Sequence, residues 1–323
     1  MPLHDLGYRR WPADRSSTRL RFLVIGETGI RRAWQTTWLR RLLLASWVPM
    51  LGTAIGFFLF EQSLAAQDLR QFYGSFLRDM PMSDAVTNAA LVDVNNPESV
   101  ARARHQIWSY LLNIYFRYPQ ASIMVMVVGL IAPSLISQDV RSRAFLLYFS
   151  RPLSRQEYIL GKSVTVWFYL AGISVVPAVV LYLFGVMLSP DLSVILDTWD
   201  LPFRIFLASL ALMIPTTALA LMFSSLTEES RYAAFAWFAF WILGWVTYSV
   251  LTVSDAVSGN PNVAESIHRW EIVSPFHTLG RVENYIFGLS SWSETKYPAI
   301  NLAAVTAFCL VMLFRRVSKP LRA

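Results

Sequence analysis

Residues 163–188 read SVTVWFYLAGISVVPAVVLYLFGVML, 26 consecutive positions without Asp, Glu, Lys or Arg. As an α-helix this run is about 39 Å long, at ~1.5 Å per residue, and so long enough to cross about 30 Å of hydrocarbon. Five more uncharged apolar runs occupy residues 42–60, 121–137, 205–224, 233–253 and 299–314. The runs at 121–137 and 299–314 are short, and their ends are expected to extend by a few residues. None of the six alternates apolar and polar positions as the strands of a membrane barrel do, so the expected fold is an all-α integral membrane protein with six transmembrane helices. Composition agrees. The 323 residues are 55% hydrophobic and only 15% charged, with a mean hydropathy of +0.42, whereas soluble domains carry about 25% charged residues. One cysteine, Cys309, excludes an intramolecular disulfide and reads as a small buried hydrophobe within its apolar run.

The net charge of +7 comes from 25 Arg and 3 Lys, placed beside the apolar runs and not on one basic face. That distribution excludes a nucleic-acid platform and predicts topology instead. Residues 1–41 carry nine arginines, and residues 138–162, the turn near Glu228 and the tail after Phe314 continue the same sign. One side of the membrane then holds 19 bases and 7 acids, and the other 9 bases and 14 acids. By the positive-inside rule both termini are expected in the cytoplasm, with the chain in the plasma (inner) membrane.

Working outward, residues 1–41 form a cytoplasmic basic arm and an interfacial helix, in which residues 20–41 mix apolar positions with Trp34, Trp38 and several arginines. The six-span region fills 42–323. A cleaved signal peptide is not expected, because the first apolar run starts forty residues into the chain and no small-residue cleavage site follows it. Outer segments 61–120 and 254–298 are long. The first is expected to hold amphipathic helices at 62–77 and 98–116, the latter with an Ile107, Leu111, Ile114, Tyr115 stripe. Pro49, Pro133, Pro177 and Pro215 read as kinks in the spans.

Chemistry is sparse. Four scattered histidines give no metal-ligand spacing; only His268, His277 and Glu271 share a segment. No nucleophile elbow occurs, and no Asp, Glu, Lys or Arg lies within an apolar run to serve as a proton relay. Gly161-Lys162-Ser163 suggests a phosphate-binding loop, but the required earlier glycine position holds Gln156. No catalytic, cofactor or metal site is expected here, and any energy for work must come from a partner.

Residues 131–162, IAPSLISQDVRSRAFLLYFSRPLSRQEYILGK, are the most informative segment. Phe145, Leu146, Leu147 and Phe149 make an apolar patch. Arg151-Pro152 breaks the helix, and Ser154 with Glu157 forms a capping box into the third span. Such a helix–break–helix element suits docking to a soluble partner; a solvated basic loop is the alternative.

The stretch from Asp139 to Lys162, with its SRPLSR core and EYILGK continuation, resembles the signature of type-2 ATP-binding-cassette (ABC) exporter permeases. The six spans, the interfacial helix and an outer helical excursion before the last span are similar too. Ser274-Pro275-Phe276 adds weak support, and the sixty-residue first outer segment departs from the small members. The resemblance implies a non-enzymatic permease, a homodimer or heterodimer on two cytoplasmic ABC ATPase subunits that hold the ATP and Mg. It further implies that the segment joining spans two and three contacts the ATPase. The coupling candidates are therefore Asp139, Arg141, Arg143, Phe145, Phe149, Arg151, Pro152, Ser154, Arg155, Glu157, Tyr158, Gly161 and Lys162. A non-transporting structural or signalling membrane protein that recruits a partner through the same basic loop is the competing expectation.

Two further sets are expected from residue spacing. Gly52 and Gly56 form a G-x-x-x-G that seats either a second copy or another span of the same chain. Trp237, Trp241 and Trp245 recur every fourth residue, with Thr216 and Thr217 taken as lying opposite; they either pack between spans or line a path for an amphipathic cargo, with membrane lipids as neighbours.

Overall fold

The computed structural model describes residues 21–66, 96–144, 153–258 and 268–318. These are overwhelmingly helical, with no strand among them. In chain order the α-helices are α1 (Arg21–Trp34), α2 (Thr37–Ala45), α3 (Val48–Ala65), α4 (Pro97–Tyr115), α5 (Ala121–Arg141), α6 (Arg155–Ile173), α7 (Val175–Leu188), α8 (Val194–Asp197), α9 (Leu201–Leu226), α10 (Ser230–Val257), α11 (Pro275–Ile286) and α12 (Trp292–Ser318). Six helical stretches are long and apolar enough to cross a membrane: Thr37–Ala65, Pro97–Arg141, Arg155–Leu188, Leu201–Leu226, Ser230–Val257 and Trp292–Ser318.

The fourth of these, α9, is the hub. It packs against α5, α6, α7, α10, α11 and α12. Its most apolar window is 67% buried, as is that of the second stretch, against 11% for the first and fifth. Spans two and four thus form the interior of the bundle, and the outer faces of α3 and α10 display Leu51, Ile55, Leu243 and Val250 where lipid is the solvent.

Prolines in the spans work through their neighbours. Pro177 has no N–H for the Ile173 carbonyl, and the Tyr115 hydroxyl donates to that oxygen at 3.1 Å. Near Pro133 the Ser224 hydroxyl of α9 inserts into the α5 ladder. It donates to the Pro133 carbonyl at 2.9 Å and accepts from the N–H groups of Ile136 and Ser137 at 3.0 and 3.1 Å. These bends are therefore cross-span joints. Pro49 is different, because it lies in the first turn of α3, where a missing N–H costs nothing.

Two expectations need correction. The outer helix at 98–116 and the span beginning at 121 are one continuous 45-residue helix, Pro97–Arg141. A π-helical turn at Phe116–Gln120 absorbs Pro119 without ending it. Asn96 caps its start, accepting from the Glu98 N–H at 3.0 Å. The interfacial segment is also two helices, α1 and α2, broken at Gln35 and Thr36. Of the expected helix at 62–77, residues through Ala65 continue α3, and 67–77 lie outside the described residues.

Helix α1 lies against α6 through small residues. A side-chain carbon on Gly29 would meet the Thr165 hydroxyl, and one on Gly161 would stand 2.8 Å from the Phe22 carbonyl. Hydroxyls lock the crossing: Thr165 donates to the Gly26 carbonyl at 3.2 Å and Tyr169 to that of Ile30 at 2.7 Å.

Candidate functional site

The link between α5 and α6 is held at both ends. Helix α5 stops in a Schellman motif: the Ala144 N–H reaches the Asp139 carbonyl at 3.0 Å and the Arg143 N–H that of Val140 at 3.2 Å. Arg143 takes the left-handed position that such a stop requires, at φ 54°, a conformation usually left to glycine. Helix α6 starts in the expected capping box, with the Ser154 hydroxyl accepting from the Glu157 N–H at 3.2 Å and the Glu157 carboxylate accepting from the Ser154 N–H at 2.7 Å. Between the two ends stands a half-buried brace. Asp139 accepts from the Tyr158 hydroxyl at 2.7 Å and pairs with Lys162 at 2.7 Å, while the Lys162 ammonium also lies 5.4 Å from the Tyr158 ring centre.

Several coupling candidates consequently have their polar groups engaged within the chain. Asp139, Tyr158 and Lys162 hold each other, and Gly161 lies beneath α1. Arg155 donates to the Ser318 hydroxyl at 2.9 Å, tying α6 to the end of α12. Arg141 pairs at 3.2 Å with Glu229 at the start of α10, the arginine exposed and the glutamate half-buried. Ser154 and Glu157 cap. Phe145, Phe149, Arg151 and Pro152 lie outside the described residues.

The tryptophan stripe divides. Residues four apart on an α-helix drift by about 40°, so over eight the face turns by about 80°. Trp237 is buried and donates to the Val125 carbonyl at 2.8 Å. Trp245 is 55% exposed on the outer face. Trp241, between them, is buried with an N–H that has no partner among the described residues. It lines a cavity of about 200 Å³ with Thr216, Phe240, Pro275, Thr278 and Asn301, between α9, α10, α11 and α12. Thr217 does not line that cavity; its buried hydroxyl has no partner among the described residues. Replacing Trp237 by Phe is expected to lower stability by about 1 kcal/mol through the lost bond. Trp241→Phe should be neutral or stabilising, and thermal unfolding of the two variants in detergent makes the comparison.

The two glycines of the G-x-x-x-G also part company. A side-chain carbon on Gly56 would stand 2.9 Å from Leu111 of α4, whereas one on Gly52 would meet nothing within 4 Å. Gly56 serves packing inside the chain, and Gly52 faces outward.

A polar layer at the other end of the bundle was not legible as a set. Arg104 grips the buried Glu61 through two bonds of 2.9 and 3.0 Å, and the Trp108 indole donates to the same carboxylate at 3.2 Å. His105, Asp200 and Arg204 make a second cluster, in which Arg204 also reaches the Ile286 carbonyl at 3.0 Å. Burial opposes ionisation of the Asp200 carboxyl, but His105 and Arg204 prevail and hold it below the usual range. Arg281 clamps Glu271 at 2.6 and 2.8 Å. Glu283 is fully buried in α11, and burial pushes its carboxyl up to about 8 against the pull of Arg117. The signal that marks these residues is a charge on an apolar face: Arg104 precedes Ile107 and Leu111 by three and seven, and Glu283 follows Phe276 and Leu279 by seven and four. His277 stacks on Tyr248 and bonds Ser274, and burial, with Arg117 nearby, lowers it to about 4. Glu271 is committed to Arg281, and no group of three metal-ligating side chains occurs among the described residues.

Residues 37–316, from the first residue of α2 to near the end of α12, match the sequence model of a family described as ABC-2 family transporter protein. The chain belongs to the ABC-2 transporter family. No curated protein matches the sequence significantly. This ABC-2 transporter is a multi-pass membrane protein, and its capped, braced α5–α6 link is the segment its sequence resemblance singled out. Helix α1 lies outside the matched residues, although it is packed on α6.

Proposed function

We propose that this transporter is the membrane-spanning permease of an ABC exporter, driven by a separate cytoplasmic ATPase subunit and working as a dimer of permeases. The observation that carries the reading is the brace of Asp139, Tyr158 and Lys162 together with the two capped helix ends. A force applied to residues 145–152 meets rigid anchors on both sides and is passed to α5 and α6, which pack on the central α9. The excess of bases on that side of the chain supports its placement in the cytoplasm, with both termini there and the chain in the plasma membrane. ATP and Mg then belong to the partner, because the chain has no phosphate-binding loop. The Trp241 cavity is the candidate contact for an apolar cargo carrying one hydrogen-bond acceptor.

The test is co-purification with a P-loop ATPase encoded beside the gene. Arg151→Glu together with Arg155→Glu is expected to abolish capture of the ATPase while membrane insertion persists. Ser318→Ala, which removes the Arg155–Ser318 bond and keeps both arginines, should retain it. Normal capture and stimulation of ATP hydrolysis by the doubly reversed variant would overturn the docking assignment.

A further inference from the structure

Between α1, α2 and α5 lie two adjoining clefts of about 340 and 250 Å³, which share Gly29, Arg32, Ser134, Leu135 and Gln138. Their polar side has unused capacity. Arg32 makes no ion pair among the described residues, whereas its neighbour Arg31 is paired with Glu27 at 2.6 Å. The side chains of Gln35 and Gln138 form no hydrogen bond among the described residues, and Thr36, the cap residue of α2, does not cap it. The other charges at the cleft, Lys162 and Asp139, neutralise each other at 2.7 Å, so one cation is left over. Ser134 and Thr28, which also line the clefts, spend their hydroxyls on the Ile131 and Val24 carbonyls, and the apolar wall is Leu39, Ile131, Leu135 and Leu130, the last 44% exposed at the edge of the bundle.

We propose that this cleft binds the phosphodiester headgroup of an anionic lipid, with Arg32 on the phosphate, Gln35, Thr36 and Gln138 on the remaining oxygens, and the first acyl carbons along Leu130 and Leu135. A phosphodiester carries one negative charge and matches the one guanidinium of the cleft that has no ion pair among the described residues. A free phosphate would leave the apolar wall unused, and a zwitterionic lipid would add a cation for which the cleft holds no unpaired acid. The site lies at the edge of the bundle that carries the basic amphipathic helix α1, where headgroups meet the protein. Occupancy would wedge α1 against α5, giving lipid composition a hold on the helix packed over the start of α6.

Native mass spectrometry of the purified transporter, titrated separately with dioleoyl-phosphatidylglycerol and dioleoyl-phosphatidylcholine, tests this. Arg32→Gln is expected to lower phosphatidylglycerol affinity by about tenfold. Arg31→Gln removes the same charge from the same helix but does not line the cleft, and should leave it unchanged. Gln138→Leu keeps every charge and should weaken binding about threefold. Equal losses in the Arg31 and Arg32 variants would reduce the effect to general surface charge and overturn the proposal. So would equal affinity for phosphatidylcholine, or unchanged binding in Arg32→Gln. Displacement of the lipid by inorganic phosphate would assign the cleft to a free anion instead. If Arg32→Gln does not fold, the Gln138→Leu result decides.

Discussion

Arg104→Met is expected to destabilise the transporter by about 3–5 kcal/mol, because it leaves a carboxylate buried without its counter-charge. Glu61 is 2% exposed at its side chain and Arg104 10%, and the pair is bidentate, so neither charge has water to fall back on. The remaining donor, the Trp108 indole, is neutral and supplies one bond at 3.2 Å. The pair joins the end of α3 to α4 across a sequence separation of 43 residues, beside the Phe57–Trp108 ring contact. Its loss should therefore loosen the first span from the long second one. The double variant Glu61→Gln, Arg104→Met removes both charges and should recover most of the loss, since a buried pair contributes little net stability beyond well-packed neutral groups. Thermal unfolding of the three proteins in one detergent measures it. Equal destabilisation by the single and double variants would show that packing around Trp108, and not the charge pair, holds this joint.

The second large effect is at the link. Asp139→Ala should cost about 3–5 kcal/mol by the same reasoning, because it strands Lys162, which is only 12% exposed at its side chain. It also removes the acceptor of the buried Tyr158 hydroxyl. Asp139→Asn separates these contributions: the amide keeps an acceptor for Tyr158 and loses the charge. If the brace transmits force from residues 145–152, ATP-driven transport should fall further than stability alone accounts for. ATPase capture should persist, since Asp139 faces its own chain. Asp139→Asn with Lys162→Met should restore the unfolding temperature but not the transport rate. Recovery of both would reduce the brace to a stability element.

How much of this was legible in the residues differs between elements. The spans were legible because burial in hydrocarbon demands an unbroken apolar run of fixed length, which is a one-dimensional property. The capping box was legible for the same reason, since Ser154 and Glu157 are three apart and act on each other's backbone. The continuity of residues 97–141 was not. The apolar run of the second span starts only after Arg117 and Pro119, and only the π-helical turn, supported by packing around Phe116 and Gln120, lets the helix run on. Gly52 and Gly56 share a motif, yet only the position of Leu111 shows that the two meet different surroundings.

The sequence by itself determined that this chain is a six-span helical membrane protein and where its charge lies, and it showed which linking segment resembles the family's signature. Those follow from local length, hydropathy and spacing. Only the tertiary structure decided which polar groups are spoken for: that Asp139 holds Tyr158 and Lys162, that Arg104 holds Glu61, that Ser224 and Tyr115 complete the joints at Pro133 and Pro177, and that Arg32 has no acid partner among the described residues. In a low-dielectric interior a charge or a freed carbonyl must find a partner, and that partner is chosen by proximity in space, across separations such as 19 residues for Asp139 and Tyr158 and 91 for Pro133 and Ser224, which no local pattern encodes.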